Sequence, residues 1–178
     1  APIADRYEGD FEKVKDALNR CIGAVSLLGV AARYVDLLAK GEVPQKITDA
    51  YRGDFALLAG NLNRCIDAVN LLVADARKLA EAGAAGALST RADATRHQGD
   101  FRKIVEGVNQ TLDAVVGPLN VAARYVDQIS KGQIPPPITE RYAGDFAAIR
   151  DNLNACVKAV NQLVADAGFH KLEQRIDQ

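Results

Sequence analysis

Five side chains offer nucleophilic, acid–base or metal chemistry: the thiols of Cys21, Cys65 and Cys156 and the imidazoles of His97 and His170. Three cysteines 44 and 91 residues apart fit neither a zinc-binding spacing nor a disulfide framework. All three lie within apolar stretches of helical period, which predicts small buried hydrophobes rather than reactive groups. The two histidines are remote in sequence from each other and from the thiols. No nucleophile, base and orienting group converge, so the reading is of a non-enzyme with no metal, cofactor or small-molecule ligand. His97 is the best candidate for a sensor, because imidazole titrates near neutrality. It occupies a slot held elsewhere by tyrosine, which predicts a packed ring instead.

The elements that hold these residues are repeats. Gly-Asp-Phe recurs as Gly9-Asp10-Phe11, Gly53-Asp54-Phe55, Gly99-Asp100-Phe101 and Gly144-Asp145-Phe146, with glycines 44, 46 and 45 residues apart. Such a period marks a repeat architecture. Asn19-Arg20-Cys21-Ile22, Asn63-Arg64-Cys65-Ile66 and Asn154-Ala155-Cys156-Val157 align downstream, with Asn109-Gln110-Thr111-Leu112 as a variant. Ala31-Ala32-Arg33-Tyr34-Val35-Asp36 returns as Ala122-Ala123-Arg124-Tyr125-Val126-Asp127. A third block precedes the tripeptide: Gly41-x-Val43-Pro44-x-x-Ile47 leads to Tyr51, and Gly132-x-Ile134-Pro135-x-x-Ile138 leads to Tyr142. In the middle copy Gly86-x-Leu88-x-x-x-Ala92 leads to His97, one residue longer and without proline.

Each unit reads as helix, connector, helix. After Phe55 the apolar positions Leu58, Leu62, Cys65, Val69, Leu72, Ala76 and Leu79 follow 3-4 steps, a heptad seam. Ile149, Leu153, Cys156, Val160, Leu163 and Ala167 repeat it after Phe146. The helix behind each Gly-Asp-Phe therefore runs on into the next unit. The aspartate sits in the first turn, where a carboxylate favours the helix dipole, and the glycine relaxes the backbone before it. Two slips interrupt the seam. Cys21, Val25, Leu28, Ala31, Val35 and Leu38 contain an inserted three. Val108, Thr111, Val115, Leu119, Ala122, Val126 and Ile129 contain an inserted four. Slips of this kind overwind or unwind a coiled coil locally, either as drift or as a device holding adjacent units in different rotational settings.

About a dozen residues separate Gly41 from Gly53, a reach of roughly 40 Å when extended. The preceding helix, from about Val25 to Lys40, is about 24 Å long. The connector can run back along it, so that two successive helices are parallel. Pro44, Pro135, Pro136 and Pro137 favour that extended path. The isolated apolar residues Val43, Ile47, Ile134 and Ile138 are expected to plug the groove between the helices.

Two heptad helices joined by a connector with Gly-x-apolar and a second apolar anchor resemble the HAMP signal-relay domain. Concatenated copies resemble the poly-HAMP arrays of bacterial chemoreceptors and sensor histidine kinases. On that resemblance Gly41, Gly86 and Gly132 are the connector glycines. Val43 with Ile47, Leu88 with Ala92, and Ile134 with Ile138 are the hydrophobic anchors. Pro118, after Gly117, is the proline at the start of a first helix and marks a helix boundary. Gly-Asp-Phe stands where the family commonly has Asp-Glu-x-Gly. The resemblance implies an all-α fold of stacked parallel four-helix bundles made by a parallel homodimer, with Leu58, Leu62, Cys65, Val69, Leu119, Val126, Ile129, Leu153, Cys156 and Val160 in the bundle seam. Units are expected at 25–69, 70–114 (variant) and 115–160. Residues 1–24 then end a leading unit, and 161–178 are a following helix start or an appended tail. The implied function is relay from a sensor to a chemoreceptor or kinase output, in the cytoplasm; the alternative is a passive coiled-coil spacer or helical scaffold.

Composition agrees with closely packed helices. About one residue in six is Ala and only 6% are aromatic. The net charge of -1 speaks against nucleic acid as a partner, and Arg77-Lys78 and the Arg91–Arg96 stretch read as a solvated face. No apolar run is expected to reach the roughly 20 residues of a membrane span, and no signal-peptide pattern is present. The chain begins with Ala rather than Met, which predicts a piece of a longer protein.

Overall fold

The computed structural model describes the backbone of residues 2–176 and the side chains of all of these except Ala24 and 168–176. The described residues form four long helices and no strand: α1 Asp10–Ala39, α2 Asp54–Ala84, α3 Gly99–Ser130 and α4 Asp145–Ile176. Two compact units divide the chain, Ala1–Val105 and Glu106–Gln178.

α1, α2 and α3 each run uninterrupted from Gly-Asp-Phe to the next connector glycine, because the apolar pattern continues between them, in α3 even past Pro118. The stop is then chemical. Gly41 has φ 80°, a conformation costly for any residue with a Cβ. It lets the Gly41 N–H donate to Leu38 O (3.0 Å) and the Glu42 N–H donate to Leu37 O (2.9 Å). These two bonds satisfy carbonyls left open by the end of α1. Gly86 and Gly132 repeat the arrangement: Ala87 N–H donates to Ala82 O at 2.8 Å, and Gln133 N–H to Gln128 O at 2.9 Å. At the other end, Gly9 and Gly53 precede α1 and α2 with φ 61°, ψ -131° and φ 59°, ψ -140°. Only glycine adopts that region readily.

Pro118 departs from the expectation of a helix boundary: it lies inside α3. Its ring removes one backbone donor, at a cost of about 3 kcal/mol, and the flanks hold the helix through it, with Val116 buried and Val121 half-buried. The exposed apolar positions Val108, Val115, Leu119 and Val126 shift register beside this proline. The slip expected in α1 is different. Ala31 is half-buried and Ala32 exposed. The exposed set Phe11, Val14, Leu18, Cys21, Val25, Leu28, Ala32 and Val35 keeps unbroken 3-4 steps, because Ala31 faces the flank rather than the stripe.

A second correction concerns hydropathy. α1 holds an 18-residue window of mean hydropathy 1.6 with no more than two charged residues, so by length and composition it could cross a membrane. Arg33 and Asp36 break the apolar run without lowering the average far enough. A soluble heptad helix with an apolar stripe meets the same test, and one such helix is weak ground for a span.

Candidate functional site

The side chains that seat each connector form the candidate site. It is most complete in the unit Glu106–Gln178. Tyr125 of α3, Ile138 of the connector and Val157 of α4 form a buried cluster, with Val121, Ile129, Ile134, Tyr142 and Leu153 packed around it. The connector thus lies between two helices and touches both. Tyr125 donates its hydroxyl to Pro136 O at 2.8 Å, which satisfies a buried polar tip and ties α3 to the proline run.

A second device, unassigned by sequence reasoning, is an asparagine clamp. The Asn154 carboxamide accepts from the Ile138 N–H (2.7 Å) and donates to the Ile138 carbonyl (3.1 Å). Asn63 does the same to Ile47 at 2.8 and 2.9 Å, and Asn19 to Ile3 at 2.7 and 3.0 Å. An extended connector has no ladder partner, so its backbone groups need another source of hydrogen bonds. A primary amide is the one neutral side chain that offers a donor and an acceptor side by side. The signal was present in the sequence, since each asparagine stands sixteen residues after an apolar connector residue.

The predicted anchors are seated unequally. Ile138 and Ala92 are buried, Val43, Ile47 and Ile134 half-buried, while Leu88 is 41% exposed. The middle connector turns tightly just there, with Leu88 N–H donating to Gly86 O and Thr90 N–H to Ala87 O, and this carries Leu88 outward. Among the seam residues, Leu58, Leu62, Val69, Ile129, Leu153 and Val160 are half-buried and Leu119 and Val126 exposed.

Within the single chain the thiols are not the buried hydrophobes expected: Cys21, Cys65 and Cys156 are all exposed. The neighbours Ile66 and Val157, each 1% exposed, fill the groove of the chain itself. One residue along a helix is a rotation of about 100°, so Cys65 and Cys156 sit on the seam stripe while the next residue points at the connector. Asp10, Asp54, Asp100 and Asp145 lie in first turns as expected. Phe55 and Phe146 are half-buried, Phe11 and Phe101 exposed, and Gly99 and Gly144 share φ 55°.

The unit Ala1–Val105 adds two features. A cavity of about 660 Å³ is lined by Asp16, Asn19, Arg20 and Gly23 of α1 and by Ala50, Tyr51, Arg52 and Phe55. The chain leaving α1 at Ala39 has therefore returned to its first half before α2 starts. In the middle connector a single 3-10 turn, Ala94–Arg96, delivers His97 to Asp75 of α2, with Nε2 and Oδ2 2.7 Å apart. His97 is 4% exposed, so its ring is packed as expected, but against a carboxylate that the sequence had not singled out. Arg91 folds back, donating to the carbonyls of Leu88 and Thr90 at 2.7 Å each, and Arg96 lies 4.0 Å from Asp75. His170 lies outside the residues whose side chains are described, as does the tail from 168, although the backbone of α4 continues to Ile176.

Asp93 caps this turn. Hydrogen bonds from the Thr95 hydroxyl (2.6 Å) and the Thr95 N–H (3.0 Å) hold its carboxyl below the usual aspartate range. In the leading connector, the hydrogen bond from Lys15 and the Tyr7 N–H likewise lower Glu12.

The family model described as HAMP domain matches residues 28–71 and 96–162, more than half of the chain. The chain belongs to the HAMP domain family. No curated protein matches it. HAMP domains relay signals within sensor proteins and are signal-transduction modules rather than catalysts. In this HAMP chain the connector seats just described join the helices whose packing such a module would change.

Proposed function

We propose that this HAMP chain is a relay that works as a parallel homodimer in the cytoplasm. It passes a change of helix packing from a sensor input to a chemoreceptor or kinase output of the same parent chain. The units are taken as 25–69, 70–114 and 115–160, flanked by the end of a leading unit (1–24) and the start of a following helix (161–178). The observation that carries the reading is the exposed stripe of α1, eight heptad positions from Phe11 to Val35 facing away from their own chain. Soluble monomers rarely leave such a surface uncovered. A second copy about a parallel two-fold axis raises each layer from two helices to four and closes the seam. It also keeps both output ends together, as a dimeric effector requires.

Light scattering should give twice the 19.1 kDa chain mass; a monomer at micromolar concentration overturns the arrangement. Relay is tested in the parent chain by inserting three residues between Thr111 and Val115, which completes the inserted four to a full heptad. The units should stay folded while output shifts towards one signalling state. An unchanged response to stimulus would leave the passive spacer as the better account.

A further inference from the structure

We propose that Asp75 and His97 form a matched polar latch that seats the middle connector, residues 87–98, through a buried side-chain pair at positions that hold valine and tyrosine in the neighbouring units. The latch deepens the relay reading above and rests on it for its purpose, though not for its geometry.

Asp75 and His97 are the buried polar residues of the described chain, 5% and 4% exposed. Counted back from the connector glycine, Asp75 stands eleven residues before Gly86, where Val30 precedes Gly41 and Val121 precedes Gly132. His97 stands two residues before Gly99, where Tyr51 and Tyr142 precede their glycines. The valine–tyrosine combination has thus been exchanged at both positions in the same unit, and the two new side chains meet at 2.7 Å. Tyr142 sends its hydroxyl outward to Glu140, so a tyrosine in this slot does not serve the position that Asp75 holds. Either exchange alone would leave a buried polar group without its partner, which is far costlier than losing the pair together.

The connector is built to present the histidine. Asp93 caps the 3-10 turn through Thr95, and the His97 N–H donates to Ala94 O at 3.2 Å. Asp75 from α2 pairs with the imidazole, and Arg96 from the turn stands near the Asp75 carboxylate. The guanidinium of Arg96 stands 4.0 Å from the Asp75 oxygen that His97 does not use, at the outer limit of an ion pair. A desolvated side-chain pair fails once either partner leaves, and that gives this joint two discrete settings.

The test is a double-mutant cycle on the full chain, read by amide hydrogen exchange in the connectors. Asp75→Val and His97→Tyr, singly, should each speed exchange of amides 87–98 by about 100-fold or more and leave amides 133–143 unchanged. The double variant, which rebuilds the valine–tyrosine pattern, should return to within about tenfold of the original chain. Asp75→Asn, which keeps an acceptor for the ring, should stay closer to wild type than Asp75→Val. Additive single effects, or equal acceleration in both connectors, overturn the latch. Should the single variants unfold globally, the same cycle with Asp75→Asn and His97→Gln decides it, and additivity there overturns it too. A dimer or relay failure in the tests above leaves these exchange ratios unaffected, so the two ideas fail separately.

Discussion

The carboxamide of Asn63 holds both backbone polar groups of Ile47, accepting from its N–H at 2.8 Å and donating to its carbonyl at 2.9 Å. This single side chain does for the connector what a neighbouring strand does in a sheet. Asn63→Ala leaves a half-buried donor and acceptor unmet and should cost about 1–3 kcal/mol. Asn63→Asp removes the donor and turns an anion towards the Ile47 carbonyl, so it should not rescue. Thermal melts of the three proteins check this, and an alanine variant that melts like the original would show the clamp to be dispensable.

Ile138 is buried against Tyr125 and Val157. Ile138→Asp should destabilise the unit Glu106–Gln178 by about 2–5 kcal/mol, from lost burial and an unpaired charge. Gln133 is exposed close by, and Gln133→Asp should be near neutral. Equal melting of the two variants would remove Ile138 from the list of anchors.

Gly53 has open space where a Cβ would stand, yet its φ is 59°. Gly53→Ala should therefore cost about 1–3 kcal/mol through backbone strain alone. Gly60, mid-helix with equally open space, is the control: Gly60→Ala should stabilise by about 0.5–1 kcal/mol. Chemical denaturation midpoints separate the two, and opposite signs are expected.

The thiols of Cys21, Cys65 and Cys156 are open in the single chain but lie on the stripe that a second copy would cover. Labelling by a disulfide reagent should be slow at concentrations where the dimer persists and faster on dilution. Rates independent of protein concentration would argue against that interface. Replacing all three by valine should preserve helicity, because none fills the groove of its own chain.

The carboxyl of Asp93 is lowered first by the Thr95 hydroxyl and then by the Thr95 N–H. Its contribution is complete above the ordinary aspartate value, about 3.9, and is lost as pH falls through the lower folded value. The Thr95 amide resonance should hold its position down to about pH 4 and move only below it. A midpoint at or above the ordinary value would contradict the capped turn.

Periodicity settled the helices of this protein. A 3-4 apolar pattern running through 55–79 and 146–167 leaves the backbone one regular solution, and Gly-Asp-Phe and the connector glycines mark its ends. The repeats placed the connectors for the same reason, since local pattern repeats where local structure does. Packing decided what periodicity could not. Whether Cys65 or Ile66 faces the groove is a rotation of about 100°, and only the neighbouring connector fixes it. Pro118 reads locally as a boundary, and the burial of its flanks carries α3 past it. Leu88 matches an anchor by spacing and is turned outward by the hydrogen bonds of its own connector. The meeting of Asp75 with His97 joins residues 22 apart through a turn that no period predicts. Heptad spacing records which residues share a helix face; what that face meets is set by the chain's return path, and that belongs to tertiary structure.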